Sequence, residues 1–220
     1  MRAFGVLLER GTKRVFASAL DWPGWSRSGR DADGALEALA SYGPRYRRAM
    51  GAPARPIPAD VPASLFEVLD RVQGNATTDF GAPGAVGKAD GRPLDGRELQ
   101  RQLRLLRAAW RAFDRSAASA SGIELAKGPR GGGRSVDAMV RHVHDAEAAY
   151  LSKIGGPTKA PAHDAELRAL YTRILTARAM GEPPPRVPRS GSVWPVRYAI
   201  RRSAWHALDH AWEIEDRSSA

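Results

Sequence analysis

Over the first fifty positions the apolar residues fall in short blocks, and beyond position 94 they repeat with the period of an α-helix. Residues 3–8 (Ala-Phe-Gly-Val-Leu-Leu) and 15–20 (Val-Phe-Ala-Ser-Ala-Leu) predict two strands, separated by the hairpin-like break Arg10-Gly11-Thr12. Asp21-Trp22-Pro23-Gly24-Trp25 predicts a turn, and 25–28 a third short strand. Asp31 precedes a segment, 32–42, in which Ala35, Leu36, Leu39 and Tyr42 share a face, so a capped helix is expected there. After a proline-rich connector at 52–62, residues 65–69 predict a further strand of the same sheet. Positions 74–93 carry no period and are rich in Gly, Ala and Asp, which predicts a long loop.

Four helical segments follow. The first, 97–118, places Leu99, Leu103, Leu106, Trp110 and Phe113 on one face and Arg97, Arg101, Arg104, Arg111 and Arg115 on the other. The second starts behind Ser135 as N-cap, with Asp137 in its first turn, and stops at Gly155-Gly156-Pro157. The third, 164–180, aligns Leu167, Leu170, Tyr171, Ile174 and Leu175 and is ended by Gly181 and Pro183-Pro184-Pro185. The fourth, 195–216, is apolar nearly all round and is expected to be heavily buried, against the N-terminal module or a second subunit as well as the other helices. The expected fold class is α+β: a sheet-plus-helix module at 1–73, a linker at 74–93 and an all-α four-helix bundle at 94–220.

Composition narrows the function classes. The 220 residues include no cysteine, which removes disulfides, thiolate ligands and a cysteine nucleophile. No apolar run approaches the roughly 18 residues of a membrane span, and the N-terminus lacks a signal-peptide pattern, so a cytoplasmic location without a membrane partner is expected. The net charge of +10 invites a nucleic-acid partner, but the arginine stripe at 97–115 reads as the solvated face of an amphipathic helix and no recognition motif accompanies it.

The chemistry concentrates in the histidines. His206 and His210 stand four apart on the last helix, which puts both imidazoles on one face, one turn apart, as a helix offers two nitrogens to one metal ion. His142 and His144 point about 200° from one another on the second helix, so one of them can face inward. Met139, Val143, Ala146 and Tyr150 form an uncharged stripe that contains His142, which favours it; the rival face, Val136, Val140, Val143 and Glu147, would bring His144 in at its edge. A three-histidine site leaves a divalent ion an open position, where a water or an incoming thiol is acidified. With no cysteine in the chain, any thiol is an external low-molecular-weight one. Asp145, Asp209 and Glu213 are candidates to accept the outer imidazole N–H groups. Arg202, one turn before His206, is a candidate to hold a substrate carboxylate, or else to pair with a neighbouring acid.

Two resemblances accompany these residues. Pro23-Gly24-Trp25-Ser26-Arg27-Ser28-Gly29-Arg30, followed by Asp33-Gly34-Ala35-Leu36-Glu37, resembles the HicB-like module, without a DNA-binding segment after it. Val140-Arg141-His142-Val143-His144-Asp145-Ala146-Glu147 and Arg201-Arg202-Ser203-Ala204-Trp205-His206-Ala207-Leu208-Asp209-His210 resemble the two histidine helices of the DinB/YfiT-like superfamily. That resemblance covers 94–216 and implies a metal-binding four-helix bundle with ligands at His142, His206 and His210, and zinc or nickel as the ion. It also implies chemistry such as that of mycothiol-dependent maleylpyruvate isomerase and bacillithiol transferases: thiol-dependent transfer or isomerisation of a small molecule. The alternative is a non-catalytic binding or stress-associated interaction protein with a structural or vestigial metal site; a homodimer is compatible with either.

Other motifs fit less well. Gly128-Pro129-Arg130-Gly131-Gly132-Gly133-Arg134-Ser135 follows a phosphate-loop pattern with arginine in place of lysine, but no good strand precedes it. Ala207 stands where a metalloprotease helix needs glutamate. His163 reads as a surface or capping residue, and Trp22 and Trp25 as packing residues around their turn.

Overall fold

The computed structural model describes residues 3–128, 133–187 and 192–218; the reading of 128–135 as a phosphate loop falls on 129–132 and lies outside the described residues. Among the described residues the fold is mixed α/β, with a four-stranded sheet near the N-terminus and seven α-helices. Strands β1 (Phe4–Arg10), β2 (Val15–Ala19), β3 (Ser26–Gly29) and β4 (Phe66–Gln73) lie in the order β3-β2-β1-β4, with β4 parallel to β1 and the other pairs antiparallel. Central β1 and β2 are buried on both faces, whereas edge strand β4 alternates half-buried and exposed side chains, as a one-sided edge strand does.

One face of the sheet, carrying Val6, Leu8, Val15, Ala17 and Ala19, packs on Ala35 and Leu39 of helix α1 (Ala32–Ser41). Asp31 caps α1 by accepting from the Gly34 N–H at 2.8 Å. Helix α2 (Gly43–Met50), for which no period was visible in the sequence, starts with a proline in its first turn and buries Tyr46 and Met50 one turn apart. Tyr46 stacks on the fully buried Trp25, ring centres 5.4 Å apart, and donates to the Pro23 carbonyl at 3.0 Å.

The opposite face of the sheet carries Leu7, Glu9 and Phe16, and the 74–93 segment lies over it. That segment, expected as a loop, contains the short helix α3 (Ala76–Phe80) and a 3-10 turn at Lys88–Gly91. Two distant partners order it. Buried Glu9 accepts from the Thr78 hydroxyl and from the Gly84 N–H at 2.8 Å. Asp90 accepts from Arg201 at 2.6 Å, with both side chains almost fully buried.

Helices α4 (Gly96–Ser119), α5 (Val136–Lys153), α6 (Asp164–Ala179) and α7 (Val196–Ser218) pack against one another. Ser135 caps α5, accepting from the Ala138 N–H at 3.3 Å. His163 occupies the N-cap position of α6 without a side-chain cap hydrogen bond. Among the described residues no helix is long and apolar enough to cross a membrane.

Helix α7 is the axis of the molecule. Its front carries His206 and His210; its back meets the sheet module. Gly24, at φ 92°, brings its turn against Ala204 and Leu208, where a β-carbon would stand 2.6 Å from Leu208 Cδ1. Phe16 meets Trp205 edge-on with ring centres 6.2 Å apart. The Arg27 guanidinium lies between the Tyr42 ring at 3.6 Å and the Trp212 ring at 4.3 Å, and donates to Asp209 at 3.0 Å. Arg45 reaches Glu215 and Asp216 at 2.9 and 2.7 Å. One apolar core therefore runs without a break from the sheet to the long helices.

Between α5, α6 and α4, buried Glu147 accepts from Arg168 Nε at 3.1 Å, while Arg168 Nη1 reaches Asp114 at 2.8 Å. Glu147 Oε1 has no hydrogen-bond partner among the described residues. Burial outweighs the attraction of Arg168 and pushes the Glu147 carboxyl up to about 7. The folded protein therefore holds this proton more tightly than the unfolded chain does. The resulting stabilisation is full below the ordinary value of 4.5 and is lost as pH rises through about 7. Urea unfolding of the wild type between pH 5 and 8 is expected to show this as a loss of ~3 kcal/mol relative to Glu147→Gln, whose profile lacks the step. Parallel profiles for the two proteins would contradict the raised value.

Candidate metal centre

His142 comes from the middle of α5, and His206 and His210 from consecutive turns of α7. The Met139, Val143 and Tyr150 stripe packs inward and carries His142 with it. His144, on the far side of α5, turns to Asp164 at the start of α6, with Nδ1 2.5 Å from the carboxylate.

One nitrogen from each of His142, His206 and His210 lies within 4.8 Å of the other two. The Nε2 atoms of His142 and His206 are 3.3 Å apart. Two nitrogens each ~2.1 Å from one ion at a tetrahedral angle are separated by about 3.4 Å, so this pair already spans the edge of such a site. The ring centres are 4.6 Å apart for His206 and His210 and 4.9 Å for His142 and His210. Burial, then the neighbouring His210, pushes His206 well below its ordinary value and His142 in the same direction. Neutral imidazoles with facing lone pairs are the state a metal requires. The donor set fits a divalent ion of the zinc or nickel kind, which imidazole suits.

The outer contacts are unequal. Glu213 Oε2 lies 2.9 Å from His210 Nδ1, which leaves His210 Nε2 to face the other two rings. The bond to His210, followed by Arg217 at 3.0 Å, holds the Glu213 carboxyl below the usual range despite its burial. His206 Nδ1 is buried without a hydrogen-bond partner among the described residues. The other two candidate acids differ: Asp209 is taken by Arg27, whereas Asp145 is exposed and makes no hydrogen bond or ion pair among the described residues but lies near enough for its charge to act on His142.

Arg202 lies one turn before His206, with its guanidinium 4.9 Å from the Trp205 ring centre and 5.6 Å from that of Tyr150. Tyr150 in turn presents its ring to His206 at 5.8 Å and to Trp194 at 5.1 Å. These aromatic neighbours were not among the sequence-derived site residues. Their signal was faint: Tyr150 ends the stripe that contains His142, and Trp205 adjoins His206, but both also read as core. A cavity of about 630 Å³ lies elsewhere, between Trp22, Arg101 and Arg197. No protein-family model matches the chain, and no curated protein or solved structure matches it.

Proposed function

We propose that this chain is a divalent-metal protein built on a DinB-like four-helix bundle, in which His142, His206 and His210 hold zinc or nickel and the centre serves thiol-dependent transfer or isomerisation of a small molecule. The observation that carries the reading is the meeting of three imidazole nitrogens within 4.8 Å, from two helices whose histidines are 64 positions apart. When bound, a divalent ion with three protein nitrogens and an open position acidifies a thiol or water near neutral pH.

The protein side chains supply the rest. Glu213 fixes the His210 tautomer and ring direction. The neutral state of His142 and His206, enforced by burial, keeps both lone pairs available. Tyr150 and Trp205 wall the approach with apolar surface, which excludes water from the reacting atoms. Since the chain has no cysteine, the thiol arrives from solution as a co-substrate.

The test is thiol consumption with a panel of low-molecular-weight thiols and small electrophiles, comparing zinc- or nickel-loaded protein, stripped protein and metal-treated His210→Ala. The expected result is a rate at least ~100-fold above the uncatalysed one in the loaded wild type alone, the usual scale for activation of a nucleophile. A loaded wild type that accelerates no thiol–electrophile pair would overturn the catalytic part and leave a structural metal.

A further inference from the structure

The chain carries four arginines on α7, and three of them meet a carboxylate: Arg197 meets Glu98 at 2.6 Å, Arg201 meets Asp90 at 2.6 Å and Arg217 meets Glu213 at 3.0 Å. Arg202 meets none among the described residues, and its Nη1 is buried with no hydrogen-bond partner. Its guanidinium lies by the Trp205 and Tyr150 rings and reaches the Tyr150 hydroxyl, so the Nη1 edge is what remains to bind a further partner. Beside it, the Trp205 indole N–H is also buried without an acceptor. Arg202 as a whole is half-buried, but its Nη1 and the indole N–H are two donors withdrawn from water with no acceptor, which is costly, and an anion is the partner that satisfies both.

We propose that Arg202 and Trp205, backed by the Tyr150 ring, form a subsite for the carboxylate of a small monoanionic substrate, one helical turn from the His206 nitrogen. The proposal rests on the metal reading and names the substrate class for that centre. Four residues of helix separate Arg202 from His206 by about 6 Å along the axis. A carboxylate on Arg202 therefore sets the reacting atom of an acid a few bonds away, over the three imidazoles. The flat two-pronged guanidinium matches a carboxylate in the plane, and aromatic stacking on its face fixes the direction of the fork. One guanidinium and one indole N–H suit a single negative charge better than a phosphate dianion.

The test uses the full chain, stripped of metal and loaded with zinc, titrated by calorimetry with butyrate, with butyramide as its neutral counterpart, and with inorganic phosphate. Butyrate is expected to bind the stripped and the loaded wild type and butyramide neither. Arg202→Gln should weaken butyrate at least tenfold, and Arg202→Lys should restore part of it, with far-ultraviolet circular dichroism reporting the fold of each. Butyrate and butyramide binding alike, or butyrate binding unchanged in Arg202→Gln, would overturn the subsite; tighter binding of phosphate than butyrate would overturn the carboxylate assignment. Should Arg202→Gln fail to fold, Arg202→Lys and the butyramide comparison decide. Zinc uptake is measured on the same samples by dialysis. Absent uptake with butyrate still bound in stripped protein would sink the metal reading alone, and normal uptake without butyrate binding the subsite alone.

Discussion

Replacing His206 with alanine is expected to lower zinc affinity by at least ~100-fold, more than the loss of an outer-sphere partner usually costs. His206 is the residue on which the centre turns. Its Nε2 is 3.3 Å from that of His142, and its ring centre lies 4.6 Å from His210, so its loss leaves two donors on different helices with a gap between them. With zinc at a thousand times its dissociation constant, the wild type should gain ~4 kcal/mol of stability from the metal, and the variant ~1.4 kcal/mol or less. Without metal, the imidazole is a poor contributor to the core, since its Nδ1 is buried and unpaired. The metal-free variant should therefore unfold within ~2 kcal/mol of the metal-free wild type. Thermal and urea unfolding with and without zinc check both halves. An equal zinc-dependent gain in wild type and variant would contradict the proposed ligand set.

The second large effect lies on the other side of α7. Asp90→Ala is expected to cost about 3–5 kcal/mol, because it strands the Arg201 guanidinium in the interior. Asp90 Oδ2 accepts from Arg201 at 2.6 Å and from the Gly87 N–H at 2.8 Å, and the two ion-pair side chains are 2% and 4% exposed. The double replacement Asp90→Ala with Arg201→Met removes the orphaned charge and should recover most of the loss. Zinc affinity should stay within about threefold of the wild type in both proteins, since neither residue touches the histidines. Urea midpoints of the single and double variants are the measurement; a single variant within 1 kcal/mol of wild type would show that the pair does not hold the 74–93 segment to α7.

Elements defined by local signals were legible in the sequence. The Arg10-Gly11-Thr12 break, the Asp31 and Ser135 caps and the Gly155-Gly156 stop act within a few residues, and the observed β1–β2 hairpin, α1 and α5 begin or end at them. What long-range partners create was not. Helix α3 and the turn at Lys88–Gly91 owe their order to Glu9 and Arg201, far away in the chain, so the same residues read as a loop. Helix α2 is eight residues long, too short for a period to show, and it packs on partners distant in the chain, Trp25 and helix α4.

The same division holds at the candidate metal centre. The spacing of His206 and His210 is a property of one helix and could be read directly. The pairing of that helix with His142 depended on which stripe of α5 faces inward, and the uncharged stripe decided it. The outer partners were less accessible, because Asp209 has two faces open to it and Arg27, 182 positions away, claims it. Glu213, three residues beyond His210 on the same helix, needed no such information.

The most direct measurement is anomalous diffraction at the zinc edge from crystals of the full chain grown with zinc. A single strong peak is expected at ~2.1 Å from Nε2 of both His142 and His206 and from a ring nitrogen of His210. No peak among these three rings, or one coordinated by a single imidazole at the surface, would contradict a shared ion.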